Sequence, residues 1–186
     1  MTATRLLILG AIRERGIAHG YQVRLDLESW SAGLWGSLKQ GSIYHGLKRL
    51  HDQHLVREVT GVGEPAGPAR TEYSLTASGE REFFTLLEAS LRSADGGLAE
   101  AIAGIGFMTV LPRDRVLELL RERVAAYQLK RARVVDEYEQ SLDEDWQHHV
   151  EAIRLWASTA DSAIAWTQEL IDRLDGGAYT MAGEGP

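Results

Sequence analysis

From Arg113 to Asp175 the chain runs 63 residues without a glycine or a proline, and this stretch constrains the fold more than any other feature of the sequence. Glycine and proline punctuate helices, so their absence over such a length leaves long helices as the regular structure that fits. One unbroken helix would measure about 95 Å at 1.5 Å per residue, too long for a domain of this size. A break is therefore expected, and the polar cluster Ser141, Asp143, Glu144, Asp145 is its place. Before it, Leu117, Leu120, Val124, Tyr127, Val134 and Tyr138 recur at heptad-type spacing, with Arg131 in one seat of the series. After it, Trp146, Val150, Ile153, Ala157, Ala160, Ile164, Leu170 and Leu174 form a second stripe. Two stripes of helical period predict two helices, each with one buried face. Gly176-Gly177 closes the second, and 179–186 is expected to be a flexible tail. Upstream, Leu98, Ile102, Ile105 and Met108 predict a shorter helix ended by Pro112, which also suits the first turn of the next helix.

The other half reads differently. Ten of the 19 glycines lie in residues 1–75. Thr4 to Arg15 has helical period (Leu6, Leu9, Ile12) and is closed by Gly16; His19 to Trp30 follows with Val23 and Leu27 inward. A third helix opens at Ser37-Leu38-Lys39-Gln40, which has the capping-box pattern, and runs through Ile43, Leu47 and Leu50 to about Gln53. The period then changes. Leu55–Thr60 and Arg70–Leu75 are β-prone and partly alternating, and they flank the turn-rich 61–69, which predicts a hairpin. Thr76 sits as an N-cap before an amphipathic helix carrying Phe83, Phe84, Leu87 and Leu91. Helix, helix, helix, two-stranded hairpin, helix is the winged helix-turn-helix order. The expected fold is thus mostly α, a winged domain over 1–91 followed by a helical dimerisation and effector domain over 92–178.

Charge and chemistry narrow the function. With 20 Lys+Arg against 27 Asp+Glu the net charge is -7, which taken whole speaks against a polyanionic partner. Residues 1–75 nevertheless carry 9 basic against 7 acidic side chains, and 76–186 carry 11 against 20. The acidity belongs to the second half. Cysteine is absent, which excludes disulfides, thiolate metal sites and thiol nucleophiles. No apolar run approaches the length of a membrane span, so no membrane partner is expected and a cytoplasmic location is. No nucleophile elbow, phosphate loop or zinc-protease motif occurs, so neither an enzyme nor a cofactor is expected. His148 and His149 lie among Glu144, Asp145 and Glu151, but neighbouring helical residues point about 100° apart, and a solvated helix face is favoured over a metal site.

The joint occurrence of several segments resembles the PadR family of transcriptional regulators. They are LLILGAI in the first helix, His19-Gly20-Tyr21, Leu34-Trp35, GSIYHGLKRL over 41–50, Leu55-Val56, and Tyr73-Ser74-Leu75-Thr76 with Gly79 after it. The resemblance covers roughly residues 4–90. Two departures stand out: His45 occupies a position where the family commonly has proline, and the wing, Gly67 to Tyr73, keeps only Arg70 of the family's basic run.

The resemblance and the physical reading converge on double-stranded DNA. In a three-helix reader the third helix enters the major groove while its apolar side packs on the other two. With Ile43, Leu47 and Leu50 inward, the side carrying Lys39, Gln40, Ser42, Tyr44, His45, Lys48 and Arg49 is available. Gln40 and His45 are expected near bases; Tyr44, Lys48, Arg49 and Tyr21 near phosphates; Arg70 represents the wing. For Tyr21 and Tyr44 a core role competes, and ring inside with hydroxyl outside satisfies both. One recognition helix covers only a few base pairs, so a homodimer on a pseudo-palindromic operator is expected, its seam including Leu117, Leu120, Val124, Tyr127, Ile153 and Ile164. The resemblance further implies a small aromatic or hydrophobic effector, with Trp30, Trp35, Trp156 and Trp166 as the pocket, against core and dimer packing for the same side chains. The function expected is a dimeric, effector-released repressor; the alternative is a helical interaction adaptor that keeps a winged fold and has lost DNA binding.

Overall fold

Leu6, Leu7, Ile8, Leu9, Ala11 and Ile12 are apolar on every side of a helix, and a helix without a polar face must be enclosed. The structure, a computed structural model describing residues 2–30, 40–59, 71–140 and 148–185, encloses it. All six side chains of that run are buried in α1 (Thr2–Arg15). Around it pack α2 (Gly20–Ser29), α3 (Gln40–Asp52), β3 (Glu72–Leu75) and α5 (Leu98–Phe107). Strand β1 (Ala18–His19) lies beside β3 and β2 (Val56–Val59) on its other side, in the antiparallel order β1-β3-β2. The register pairs Ala18 with Tyr73, and Val56 with Leu75. The expected two-stranded hairpin therefore gains a third strand, formed as the chain extends between α1 and α2. Helix α4 (Ala77–Arg92) is capped as expected: the Thr76 hydroxyl accepts the Gly79 amide at 3.0 Å.

Two compact units result. One comprises Met1–Ser90 with Gly96–Phe107, the other Leu91–Asp95 with Met108–Pro186. Helix α5, C-terminal to the short piece 91–95, belongs to the first unit. It does so because Gly10 leaves room for an aromatic ring: a Cβ there would lie 2.1 Å from Cζ of Phe107. Phe107 in turn meets Phe83 at 5.4 Å and Trp30 at 5.5 Å, both edge to face.

The second unit is built on α6 (Arg113–Gln140) and α7 (His149–Asp175). The helix break expected at the acidic cluster falls on residues 141–147, which lie outside the described residues. The pair is antiparallel, for Arg121 meets Asp175 at 3.2 Å while Arg131 donates to Asp161 at 3.0 Å. Val116, Leu117, Leu119 and Leu120 of α6 are buried, as are Ala160, Leu170, Ile171 and Leu174 of α7. Gly177, at φ +83, takes the left-handed turn that ends α7.

The tail expected to be flexible is tied down over 179–185. Met181 is only 2% exposed, and the Ala182 amide donates to the carbonyl of Thr109 at 2.9 Å. Arg113 spans the return: it donates to the carbonyls of Leu174, Ala178 and Tyr179 and forms a two-bonded pair with Glu184 at 2.6 and 2.7 Å. A planar guanidinium suits this fan of acceptors, whereas an ammonium has no matching fork. The Arg113 pair and the Met181 amide hold the Glu184 carboxyl at about 2. Since it titrates lower folded than unfolded, its contribution is complete above the ordinary value of 4.5 and is lost as pH falls towards 2. Glu184→Gln is expected to lower the Tm of the chain at pH 7 and to lower it by much less at pH 2.5, as followed by circular dichroism; equal losses at both pH values would show that the pair does not act through its charge.

Candidate nucleic-acid interface

The third helix presents two faces of opposite character. Ile43, Leu47 and Leu50, spaced four and three apart, are buried against α1 and α2. Opposite them Tyr44, His45, Lys48 and Arg49 are exposed, and Ser42 is half-buried at the edge. The sequence assigned both faces in this way. Gln40 opens the helix; Lys39 and Arg70 lie outside the described residues, as does Trp35.

The arginines of the neighbouring helices are engaged with acids. Arg5 meets Glu82 at 2.8 Å, Arg13 meets Glu80 at 2.8 Å, and Arg24 meets Glu28 at 3.1 Å. Arg15 forms a two-bonded pair with Asp26 at 2.5 Å, whose charge adds to burial in raising the nearby Glu14 carboxyl. Each exposed pair stabilises little. Their larger effect is to cancel positive field on those helices. Among the described residues no acid pairs with Lys48, so its charge remains available on α3.

Tyr21 and Tyr44 are brought together. His19 caps α2, its Nδ1 accepting the Gln22 amide at 3.2 Å while the Gln22 side chain accepts the His19 amide at 3.0 Å. That reciprocal cap fixes where the helix starts and hence where Gly20 and Tyr21 stand. Gly20 has the Tyr44 ring laid against it: a Cβ would sit 2.7 Å from Cε1 of Tyr44. The sequence singled out the His19-Gly20-Tyr21 segment without this reason for its glycine. Tyr21 is 46% and Tyr44 45% exposed, and Arg24 lies over the Tyr21 ring at 4.9 Å. Both side chains are thus partly packed and partly exposed.

Between them opens a cleft of about 400 Å³, lined by His19, Tyr21, Tyr44, Leu47, Thr71 and Tyr73. Thr71 and Tyr73 were not among the expected site residues, because only strand pairing places β3 beside α2. Burial, and then the Glu58 carboxylate opposite on β2, push the Tyr73 phenol above its ordinary value. It is therefore a neutral hydrogen-bond donor throughout the physiological range. The cleft combines phenol, imidazole and hydroxyl groups beside the cationic face of α3, a combination able to hold phosphate oxygens and base edges.

The residues expected for a dimer seam and an effector pocket are distributed as follows. Leu117 and Leu120 are buried in the chain's own helix pair, while Val124, Tyr127, Ile153 and Ile164 are half-buried. Trp30 belongs to the winged unit, where it packs on Phe107. Trp156 and Trp166 belong to the second unit; Lys130 lies 5.9 Å from the Trp156 ring, and Trp166 is 44% exposed.

Residues 8–84 match the model of the transcriptional regulator PadR-like family. No curated protein matches the sequence. Among solved structures, Bacillus subtilis PadR in complex with operator DNA is 20% identical, the likeness covering 91% of this chain and 98% of that one at a TM-score of 0.42. The same protein in complex with p-coumaric acid is 20% identical over 93% and 99% of the two chains, at 0.41. A PadR-like regulator from Bacillus cereus is 13% identical over 94% and 99%, at 0.39.

The contact of Gly20 with Tyr44 can be measured. Gly20→Ala is expected to cost about 1–3 kcal/mol in denaturant unfolding, because the ring has to move from its seat. The same change made beside Tyr44→Ala should cost far less, since alanine is otherwise the better helix residue. Equal costs in the two backgrounds would show that Gly20 does not seat the ring.

Proposed function

We propose, from a winged domain that belongs to the PadR-like family of transcriptional regulators, that this chain is a sequence-specific DNA-binding regulator that acts as a homodimer and represses by occupying its operator. The observation that carries the reading is the third helix, whose buried side is Ile43, Leu47 and Leu50 and whose open side carries Tyr44, His45, Lys48 and Arg49. His45 and Gln40 face base edges in this reading. Tyr21, Tyr44, Lys48 and Arg49 hold backbone phosphates, Ser42 and Lys39 flank them, and Arg70 extends the contact into the wing.

Two copies are needed because a helix of 13 residues reaches only a few base pairs of one groove. A small aromatic or hydrophobic effector that favours a geometry other than about 34 Å between half-sites would release the operator. Trp30 and Trp156, both half-buried, are the reporters for such a ligand. Unchanged tryptophan fluorescence and melting temperature across a panel of aromatic acids would sink the effector part of the reading and leave DNA binding untouched.

Gel-shift titration against DNA upstream of the chain's own coding sequence, at two salt concentrations, tests the main reading. Specific retention that weakens steeply with salt is expected, the slope of log K against log salt falling by about 0.9 for each phosphate that the protein no longer neutralises. Lys48→Ala with Arg49→Ala should weaken binding and flatten that slope. Tyr44→Phe should cost about 1 kcal/mol, a several-fold weakening, with stability retained. No specific retention in any upstream sequence would favour an interaction adaptor with a winged fold instead.

A further inference from the structure

The N-cap of α2 is filled by an unusual residue. Serine, threonine, aspartate and asparagine are the side chains that ordinarily hold this seat, and none of them changes charge near neutral pH. Here it is His19, whose backbone is extended at φ -94 and ψ 160. Its Nδ1 stands 3.2 Å from the backbone nitrogen of Gln22. An amide nitrogen can only donate, so Nδ1 presents a lone pair and the hydrogen of the neutral ring lies on Nε2. Protonation fills that lone pair. It also sets a positive charge at the positive end of the helix, and no acidic side chain stands in the first turn of α2 to offset it. The cap therefore exists in one protonation state of the imidazole and not in the other.

The first turn of α2 is weak without that cap. Gly20 opens it because the Tyr44 ring lies where a Cβ would be, with Cε1 only 2.7 Å away. Glycine is the poorest helix former after proline, so the close approach that seats Tyr44 also loosens the turn that carries Tyr21. The Gln22 side chain secures the other half of the cap, accepting the His19 amide at 3.0 Å. Tyr21 and Tyr44 share their cleft with His19. Ionisable groups from each neighbouring element surround the imidazole: Glu72, its register partner, and Tyr73 on β3; Tyr21 and Arg24 on α2; Tyr44 on α3; and Arg13, Glu14 and Arg15 at the end of α1. Of the arginines, Arg13 is held by Glu80, Arg15 by Asp26 and Arg24 by Glu28.

We propose that His19 is a positioning residue for DNA binding: its neutral ring holds the first turn of α2, and thereby Tyr21, in the conformation that meets DNA, and protonation releases that turn. The inference rests on the DNA-binding reading above and adds to it a dependence on pH. The charged ring turns from the Gln22 amide towards Glu72, which stands directly across the ladder with Cβ atoms about 5 Å apart. The sign is opposite to the ordinary one. A histidine that touches phosphates binds them better when charged, whereas His19 serves DNA better when neutral. A frayed turn has to be rebuilt before the complex forms, so the apparent affinity falls with the fraction of chains whose cap is made.

Gel-shift titrations of the full chain at about pH 8 and about pH 5.5, on either side of the range in which histidine changes charge, test the proposal with wild type, His19→Asn and His19→Ala side by side. Asparagine caps without titrating; alanine does not cap. At the higher pH wild type and His19→Asn should bind alike, and His19→Ala about three- to tenfold more weakly. At the lower pH the advantage of wild type over His19→Ala should disappear, while that of His19→Asn persists. Comparing variants at one pH cancels what the other histidines contribute. A wild-type advantage that grows on acidification would show that His19 touches phosphate as a cation, and one that stays constant would show a cap indifferent to the proton; either result overturns the proposal, as does His19→Asn binding no better than His19→Ala. In proton–nitrogen NMR of the free chain, the Gln22 amide resonance should move as the His19 ring titrates and hold still in His19→Asn. A Gln22 amide that ignores the titration overturns the proposal without reference to DNA. No specific retention at either pH, with the Gln22 amide responding as expected, would overturn the DNA-binding reading itself and leave only the proton-dependent cap.

Discussion

Burial of α1 on all sides is the constraint on which the winged unit depends. A helix whose central turns are Leu6 to Ile12 leaves no face for water, so the elements around it must supply its walls. Helices α2 and α3, strand β3 and helix α5 do so. Once α3 has committed Ile43, Leu47 and Leu50 to that wall, its opposite side has no choice but to face outward. The outward face of α3 is thus a consequence of core packing. Gly20 belongs to the same logic: it admits the Tyr44 ring against the start of α2, so the two tyrosines share one cleft.

The charge distribution follows a similar economy. A net charge of -7 says little about a DNA partner when the arginines of α1 and α2 are held by acids and, among the described residues, Lys48 on α3 is not. Exposed ion pairs add little to stability, yet they decide where positive field survives. In the second unit the pairs Arg121–Asp175 and Arg131–Asp161 bridge α6 and α7 along their length. They serve there to hold two helices in antiparallel register, and Arg113 extends the same principle to the tail.

The helical unit shows where periodicity alone stops. The stripe through Leu117, Leu120, Val124 and Tyr127 has a spacing equally suited to a neighbour within the chain or to a second copy. Burial of Leu117 and Leu120 assigns that end to the chain's own core. Leu155 and Trp166 of α7, by contrast, are exposed. Trp156 and Trp166, about 80° apart on one helix, therefore have different surroundings, as their spacing required.

Much of the architecture was written locally. Helical period, the glycine-free run, the Thr76 cap and the turn-rich wing specify their elements through contacts a few residues apart, and these are the interactions a linear reading can evaluate. The inward face of α3 and its outward face followed from the sequence alone. Tertiary structure decided the rest. Strand β1 is two residues long and has no period to detect; it exists because β3 lies beside it. The tail is ordered by Arg113, 71 residues before Glu184, and Phe107 finds its seat at Gly10 across most of the winged unit. Such contacts join residues whose separation along the chain carries no repeating signal, and only the closing of the chain upon itself determines which of them meet.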